Sequence, residues 1–208
     1  KNLMEKTSYI IYGGGSHSRV VISILEKMDI QISGIFDTDK KIKTVSKIPF
    51  LGNYNSKINS KCKLIIAIGD NHIREKISQT IQHPIGTIID FDTKINKDVK
   101  IGEGSQIITS STINVGTKIG KHCIINTNCS IDHDCNVNDF VHIGPGVTMC
   151  GGVSIGKSTL VGAGATILPN IVIGKNVIIG AGTLVNKNIP DETKVLGIPA
   201  KIIDDEKK

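Results

Sequence analysis

The sequence predicts a mixed α/β plus all-β fold: a small N-terminal parallel α/β unit, residues 4–88, followed by a parallel β-helix, residues 89–203. Three observations predict it. First, every sixth residue is aliphatic without a slip: Ile89, Ile95, Ile101, Ile107, Ile113, Ile119, Ile125, Ile131, Val137, Ile143, Met149, Ile155, Val161, Ile167, Ile173, Ile179 and Val185. Second, a small or β-branched side chain follows four residues later, as at Val99, Ser105, Ser111, Thr117, Cys123, Cys129, Cys135, Val141, Val147, Val153, Thr159 and Ala165. A helix smears a period of six around its cylinder, whereas a short strand that turns every six residues holds it on one side. Third, only 3% of the residues are aromatic and Trp is absent, so the core is Ile and Val in thin stacked β-structure.

The N-terminal elements follow in order. Ser8–Gly14 reads as an apolar strand running into glycines, and His17–Met28 as a helix with Val20, Val21, Ile24 and Leu25 on one face. Ile32–Phe36 is a second strand ending at Asp37, and Phe50–Gly52 a short strand in a variable loop. Lys63–Gly69 is a buried strand, and Asp70–Ile81 a helix capped by Asp70 or Asn71. Ile85–Ile89 leads into the repeat. Strands alternating with helices imply a small parallel sheet, Rossmann-like in kind.

In the repeat, three hexads make a coil of about 18 residues, and adjacent coils stack at about 4.8 Å. Glycine recurs just after the aliphatic residue, at Gly102, Gly120, Gly144, Gly156, Gly162, Gly174 and Gly180, where a corner needs an unusual φ or a close approach. After Val185 the rhythm dissolves, and the tail Gly197-Ile198-Pro199-Ala200-Lys201 runs into a polar end expected to fray.

The net charge of +6 comes from scattered lysines. That suits phosphate-bearing ligands, and without arginine clusters or stacking aromatics it argues against nucleic acid as a partner. Five cysteines, with no secretory pattern or membrane-spanning run, point to the cytoplasm and no membrane insertion. Cys123, Cys129 and Cys135 occupy the small inward slot of consecutive hexads, so they read as packing residues and no metal is assigned.

The chemistry concentrates at Ser130-Ile131-Asp132-His133-Asp134-Cys135. Ile131 and Cys135 point inward by phase, so His133 and Asp134 face solvent or a neighbouring subunit. An imidazole there can take a proton from an amine or hydroxyl that attacks a thioester, and an adjacent carboxylate can orient it. An exposed corner histidine without a role fits the same pattern. Gly151 lies 18 residues, one coil, beyond His133, so it stacks beside the imidazole, leaves room for a ligand, and offers its N–H to an oxyanion. His142, one and a half hexads from His133, lies on another face of the prism. In the first unit, Gly13-Gly14-Gly15-Ser16 precedes His17 at a helix start, where N–H groups can hold phosphate.

The (Ile/Val)-Gly-x-x-(Ser/Thr/Ala/Val)-x repeat resembles the hexapeptide acyltransferases, whose repeats wind into a left-handed parallel β-helix; the general crossover rule alone would give the right-handed form. Joined to Gly13-Gly14-Gly15-Ser16-His17, it resembles the bacterial sugar acetyltransferases of the bacillosamine-pathway N-acetyltransferase type and the related sialic-acid O-acetyltransferases, from Tyr9 to Ile203. The resemblance implies acetyl-CoA as cosubstrate and transfer to the 4-amino group of a nucleotide-linked 4-amino-4,6-dideoxysugar, UDP-linked by preference. It implies catalysis by His133 and Asp134, although Glu is common in the second place. Acetyl-CoA contacts would come from His142, Gly151, Ala163, Ala181 and Pro199. Nucleotide-sugar contacts would come from Gly13, Gly14, Gly15, Ser16, His17 and Asp37; Asp37 can equally be a strand-end turn residue. The family is typically a homotrimer with sites between subunits. Asn71 and Arg74 match a further signature and are mainly structural, with Arg74 a candidate phosphate contact.

Two patterns are declined. Gly151-x4-Gly156-Lys157-Ser158 spells a Walker A loop, but hexads follow where its helix should be. Gly13-x-Gly15-x-x-Ser18 lacks the third glycine of a dinucleotide site. O-acetylation of a sialic acid, a zinc-dependent hydratase using His122, His133 and His142, and a non-catalytic nucleotide-sugar sensor are the competing functions. The histidine spacings of 11 and 9 do not put two of them on one short face.

Overall fold

The computed structural model describes residues 8–39 and 44–203. The chain divides into two compact units between Ile88 and Ile89.

The first unit contains β1 (Tyr9–Tyr12), α1 (Ser16–Lys27), β2 (Ile32–Phe36), β3 (Thr44–Val45), β4 (Ile48–Gly52), β5 (Lys63–Ile66) and α2 (Asn71–Ser78). The sheet order is β3-β4-β2-β1-β5, parallel except where β3 turns antiparallel onto β4. Ile10 and Ile11 are both buried, as a central parallel strand covered on two faces requires. The chain leaves β1 toward β2 and returns on the other side at β5. The carboxyl end of β1 is therefore a topological switch point, where open α/β sheets bind ligands. The glycine loop sits there.

Several boundaries differ from expectation. The β3–β4 hairpin was not legible, because its turn uses Ser46 and Lys47 at φ 51° and 67° where glycine or asparagine would signal it. Helix α2 stops at Ser78, since Thr80 closes the turn with its N–H and Oγ1 both donating to Ile77 O, at 2.9 and 2.8 Å. Asp70 is its cap, its Oδ1 accepting the Ile73 N–H at 2.8 Å. Helix α1 begins one residue early, at Ser16, with Ile22 also buried.

The second unit is a parallel β-helix of three sheets with six, five and eight strands. Its strands are two residues long, Lys194–Leu196 with three excepted, and pair in register between consecutive coils, as Thr112–Ile113, Ser130–Ile131 and Thr148–Met149 do. Every repeat aliphatic from Ile107 to Val185 is buried. The slot four residues later is buried too, and its chemistry explains its composition. Ser105, Ser111, Thr117 and Thr159 each donate a hydroxyl to a corner carbonyl 15 residues ahead, at 2.7–2.9 Å. Cys123, Cys129 and Cys135 aim their thiols at the equivalent carbonyls of Asn138, Gly144 and Cys150, at 3.1–3.3 Å. Burial pushes the Cys129 thiol up to about 12, so it stays protonated.

The corner glycines separate the two explanations left open by the sequence. Those just after the aliphatic residue serve close approach: a Cβ on Gly102 would sit 2.5 Å from the Gly120 carbonyl carbon. The left-handed backbone falls two residues later, at Gly116 (φ 73°) and Asp134 (φ 56°). The repeat also continues past Val185. Ile189 bridges Ile173, Lys194–Leu196 pairs with Ile178–Ile179, and Lys201–Ile202 folds back antiparallel onto that strand. The step of 16 residues in place of 18 hid this coil from a six-residue count. The polar end beyond Ile203 and residues 4–7 lie outside the described residues.

Candidate active site

The strand Ser130–Ile131 buries Ile131, and the next inward slot buries Cys135, so the three residues between them form an outward corner. The side chains of His133 and Asp134 are 55% and 72% exposed there, and His133 Nδ1 lies 2.9 Å from Asp134 Oδ2. Asp134 reaches back beside its neighbour because its backbone is left-handed and the stacked residue one coil earlier is Gly116, whose missing side chain leaves room for the carboxylate. With Nδ1–H donated to the carboxylate, Nε2 carries the free lone pair. The Asp134 hydrogen bond, reinforced by the charge of Asp132, holds the imidazole above the ordinary histidine range.

Gly151 stacks on the imidazole as the coil length requires. A Cβ there would lie 2.6 Å from both His133 Cε1 and Nε2. The Gly151 N–H is taken by no acceptor among the described residues, whereas the next N–H, of Gly152, donates to His133 O at 2.9 Å. A buried donor on a residue whose missing side chain lets the imidazole approach this closely suits a carbonyl that gains negative charge. The open cleft here, about 360 Å³, is lined by Asp132, His133, Asp134, Cys150, Gly151, Gly152, Pro169 and Asn170.

Sequence reasoning missed Asp132, Asn114, Cys150, Pro169 and Asn170. Their signal was the same 18-residue phase, which places Asn114 under Asp132 and Asn170 over Gly152.

The remaining sequence-predicted residues fall in other places. His142 lies in the eight-stranded sheet, with Asn126 Nδ2 at 3.1 Å from its Nε2. Ala163 and Ala181 stack at the corner after that sheet, where Gly182 N–H donates to Ala163 O at 2.8 Å, and Pro199 is exposed in the segment that follows Lys194–Leu196. One protomer thus gathers His133, Asp134 and Gly151 at one corner and keeps His142, Ala163 and Ala181 on another face. His122 is on neither; it is buried and stacked on Phe140 at 5.2 Å, so the three histidines do not converge within one chain. The Walker-like string runs through a corner, the strand Ser154–Ile155 and another corner, with no helix.

In the first unit, Asp37 Oδ2 accepts the Gly14 N–H at 2.6 Å, and its Oδ1 accepts the Asp39 N–H at 2.8 Å. Gly13, at φ 103°, packs where a Cβ would be 2.9 Å from Ile68 Cγ1. Helix α1 has Gly15 at its N-cap position, which supplies no side-chain cap, and no acid in its first turn. Ser16 is exposed and His17 half-buried at this end, which suits an anion. Arg74 is no phosphate contact. It is fully buried, its guanidinium donating to the carbonyls of Ile68 and Gly69 at 2.9 and 3.1 Å and to Asn71 Oδ1 at 2.8 Å.

Comparison with known proteins gives matches to both units. Residues 9–81 match the PglD N-terminal domain, and residues 152–187 match the bacterial transferase hexapeptide (six repeats). The chain is similar to a mutant of perosamine N-acetyltransferase from Caulobacter crescentus solved with CoA and GDP-perosamine, at 32% identity and a TM-score of 0.90, over 95% of this chain and 97% of that one. The chain belongs to the hexapeptide-repeat sugar N-acetyltransferases. It is similar as well to the acetyltransferase domain of PglB from Neisseria gonorrhoeae in complex with acetyl coenzyme A, at 27% identity and a TM-score of 0.88, over 95% of this chain and all of that one. WeeI from Acinetobacter baumannii matches at 25% identity and a TM-score of 0.86, over 95% and 100%. No curated protein sequence matches it. Membership makes the chain an acetyltransferase and sets aside the zinc hydratase and the non-catalytic sensor. No helix among the described residues is long and apolar enough to cross a membrane.

Proposed function

We propose that this acetyltransferase carries the acetyl group of acetyl-CoA to the amine of a nucleotide-linked amino sugar, with a UDP-linked 4-amino-4,6-dideoxysugar the favoured acceptor, for a bacterial surface glycan or glycoprotein. One observation carries the reading: the basic Nε2 of His133 faces the side-chain-free Gly151, whose N–H is unused. His133 takes the proton as the amine bonds to the thioester carbon, and Asp134 stabilises the imidazolium that results. The Gly151 N–H donates to the carbonyl oxygen as it gains charge. The thiolate of CoA leaves with a proton returned by His133.

In this reading the glycine loop of Gly13, Gly14 and Gly15, with Ser16, His17 and Asp37, holds the nucleotide-sugar. The chain works as a homotrimer, with His142, Ala163, Ala181 and Pro199 of a neighbouring copy completing the acetyl-CoA groove; the separation of His142 from His133 within one chain supports that assembly. Five free cysteines support a cytoplasmic setting. GDP-perosamine in the Caulobacter structure supports an amine acceptor over the sialic-acid hydroxyl.

The test is thiol release from acetyl-CoA with UDP-, GDP- and dTDP-linked 4-amino sugars and free sialic acids. Turnover confined to nucleotide-linked amines is expected. Turnover with sialic acids alone would overturn the acceptor assignment.

A further inference from the structure

The base at this corner is held by a second carboxylate, Asp132, which neither the sequence nor the chemistry above assigns. Its Oδ1 accepts the His133 backbone N–H at 2.9 Å and the Asn114 Nδ2–H, from one coil earlier, at 3.0 Å. Both bonds converge on one oxygen, and Oδ2 has no protein donor among the described residues. The same side chain lines the cleft that His133 enters. Two donors hold the Asp132 carboxyl below the usual carboxylate range, so it stays charged beside the imidazole.

The equivalent corner one coil later shows what the latch supplies. There Cys150 occupies the place of Asp132, and the following N–H, of Gly151, has no acceptor. At the His133 corner that N–H is tied down, which fixes the start of a backbone that must turn left-handed at Asp134. Asn114 ties the corner to the coil beneath it.

We infer that Asp132, latched to Asn114, is a positioning residue for His133: it fixes the imidazole over Gly151 and keeps a negative charge beside it through the proton transfer. The inference rests on His133 being the base of the proposed reaction. The charged groups acting on the ring are Asp134 and Asp132, from its own corner, and the cleft beside it is otherwise lined by Cys150, Gly151, Gly152, Pro169 and Asn170, none of them charged. Asp98, from the coil before Asn114, is held by the Gly116 N–H, which its Oδ2 accepts at 2.8 Å.

Three variants separate the latch from the charge. Asp132→Asn keeps an acceptor for the His133 N–H and removes the charge; Asp132→Ala removes both; Asn114→Ala keeps the charge and loosens the latch. The readouts are the His133 imidazole titration followed by nuclear magnetic resonance, and kcat for acetyl transfer. The imidazole should titrate at lower pH than wild type in both Asp132 variants and unchanged in Asn114→Ala. In kcat, Asp132→Ala should lose about tenfold, since a small misplacement of a base is costly. Asp132→Asn should recover part of that loss. Titration at the wild-type value in Asp132→Ala, or its wild-type kcat, would overturn the inference. Wild-type protein that acetylates no amine would instead overturn the proposed reaction, and the titration would still decide the role of Asp132.

Discussion

Gly151→Ala probes the contact on which the mechanism depends. The new methyl group would lie 2.6 Å from His133 Cε1 and Nε2. Carbon contacts settle at about 3.5–4.0 Å, so the ring must retreat by about 1 Å. The ring can do so, because it is more than half exposed and yields more easily than the backbone of the coil. Gly151 lies outside the left-handed region, so alanine fits its backbone. Stability should therefore change by less than about 1 kcal/mol, with melting temperature nearly unmoved. The chemistry should suffer far more, since a displacement of about 1 Å costs on the order of 100-fold in rate. Thiol release with a saturating nucleotide-amino sugar gives kcat, and calorimetric titration with CoA gives binding separately. A kcat within threefold of wild type would refute the claim that the imidazole works over this glycine.

Other outcomes follow from the same geometry. A general base must be neutral, so activity falls as pH drops through the raised His133 value; Asp134→Asn removes the leading cause of that rise, and the acid limb of the kcat/KM profile should move to lower pH. Any stability from the pair is present below the ordinary histidine value and fades as pH rises through the raised one. Arg74→Ala strips partners from the Ile68 and Gly69 carbonyls and should destabilise the first unit by about 3 kcal/mol in urea unfolding, without changing CoA binding. Thiol titration of the native protein should find the half-buried Cys62 and Cys150 and miss Cys123, Cys129 and Cys135 until denaturant is added.

The six-residue period carried most of the solenoid, because a two-residue strand has a single inward side chain per turn and leaves no freedom in phase. The same phase puts Gly151 against His133 from the sequence alone. It failed where spacing changed: the last coil advances by 16 residues, and Ile189 and Val195 are buried out of count. In the first unit, strand β3 was illegible because Ser46 and Lys47 adopt left-handed backbone without the residues that advertise it. Asp132 was passed over for a different reason. A run of Asp-His-Asp offers two partners for one imidazole, and only the structure shows that Asp134 takes the ring while Asp132 takes the backbone and Asn114.

The most direct test of the account is kcat for acetyl transfer by His133→Ala beside the wild-type protein, with CoA affinity and oligomeric state measured on both. A positioned base contributes about 100- to 10,000-fold, so kcat should fall by at least about 100-fold while assembly and CoA affinity hold. A variant that keeps kcat within about threefold of wild type would contradict His133 as the base.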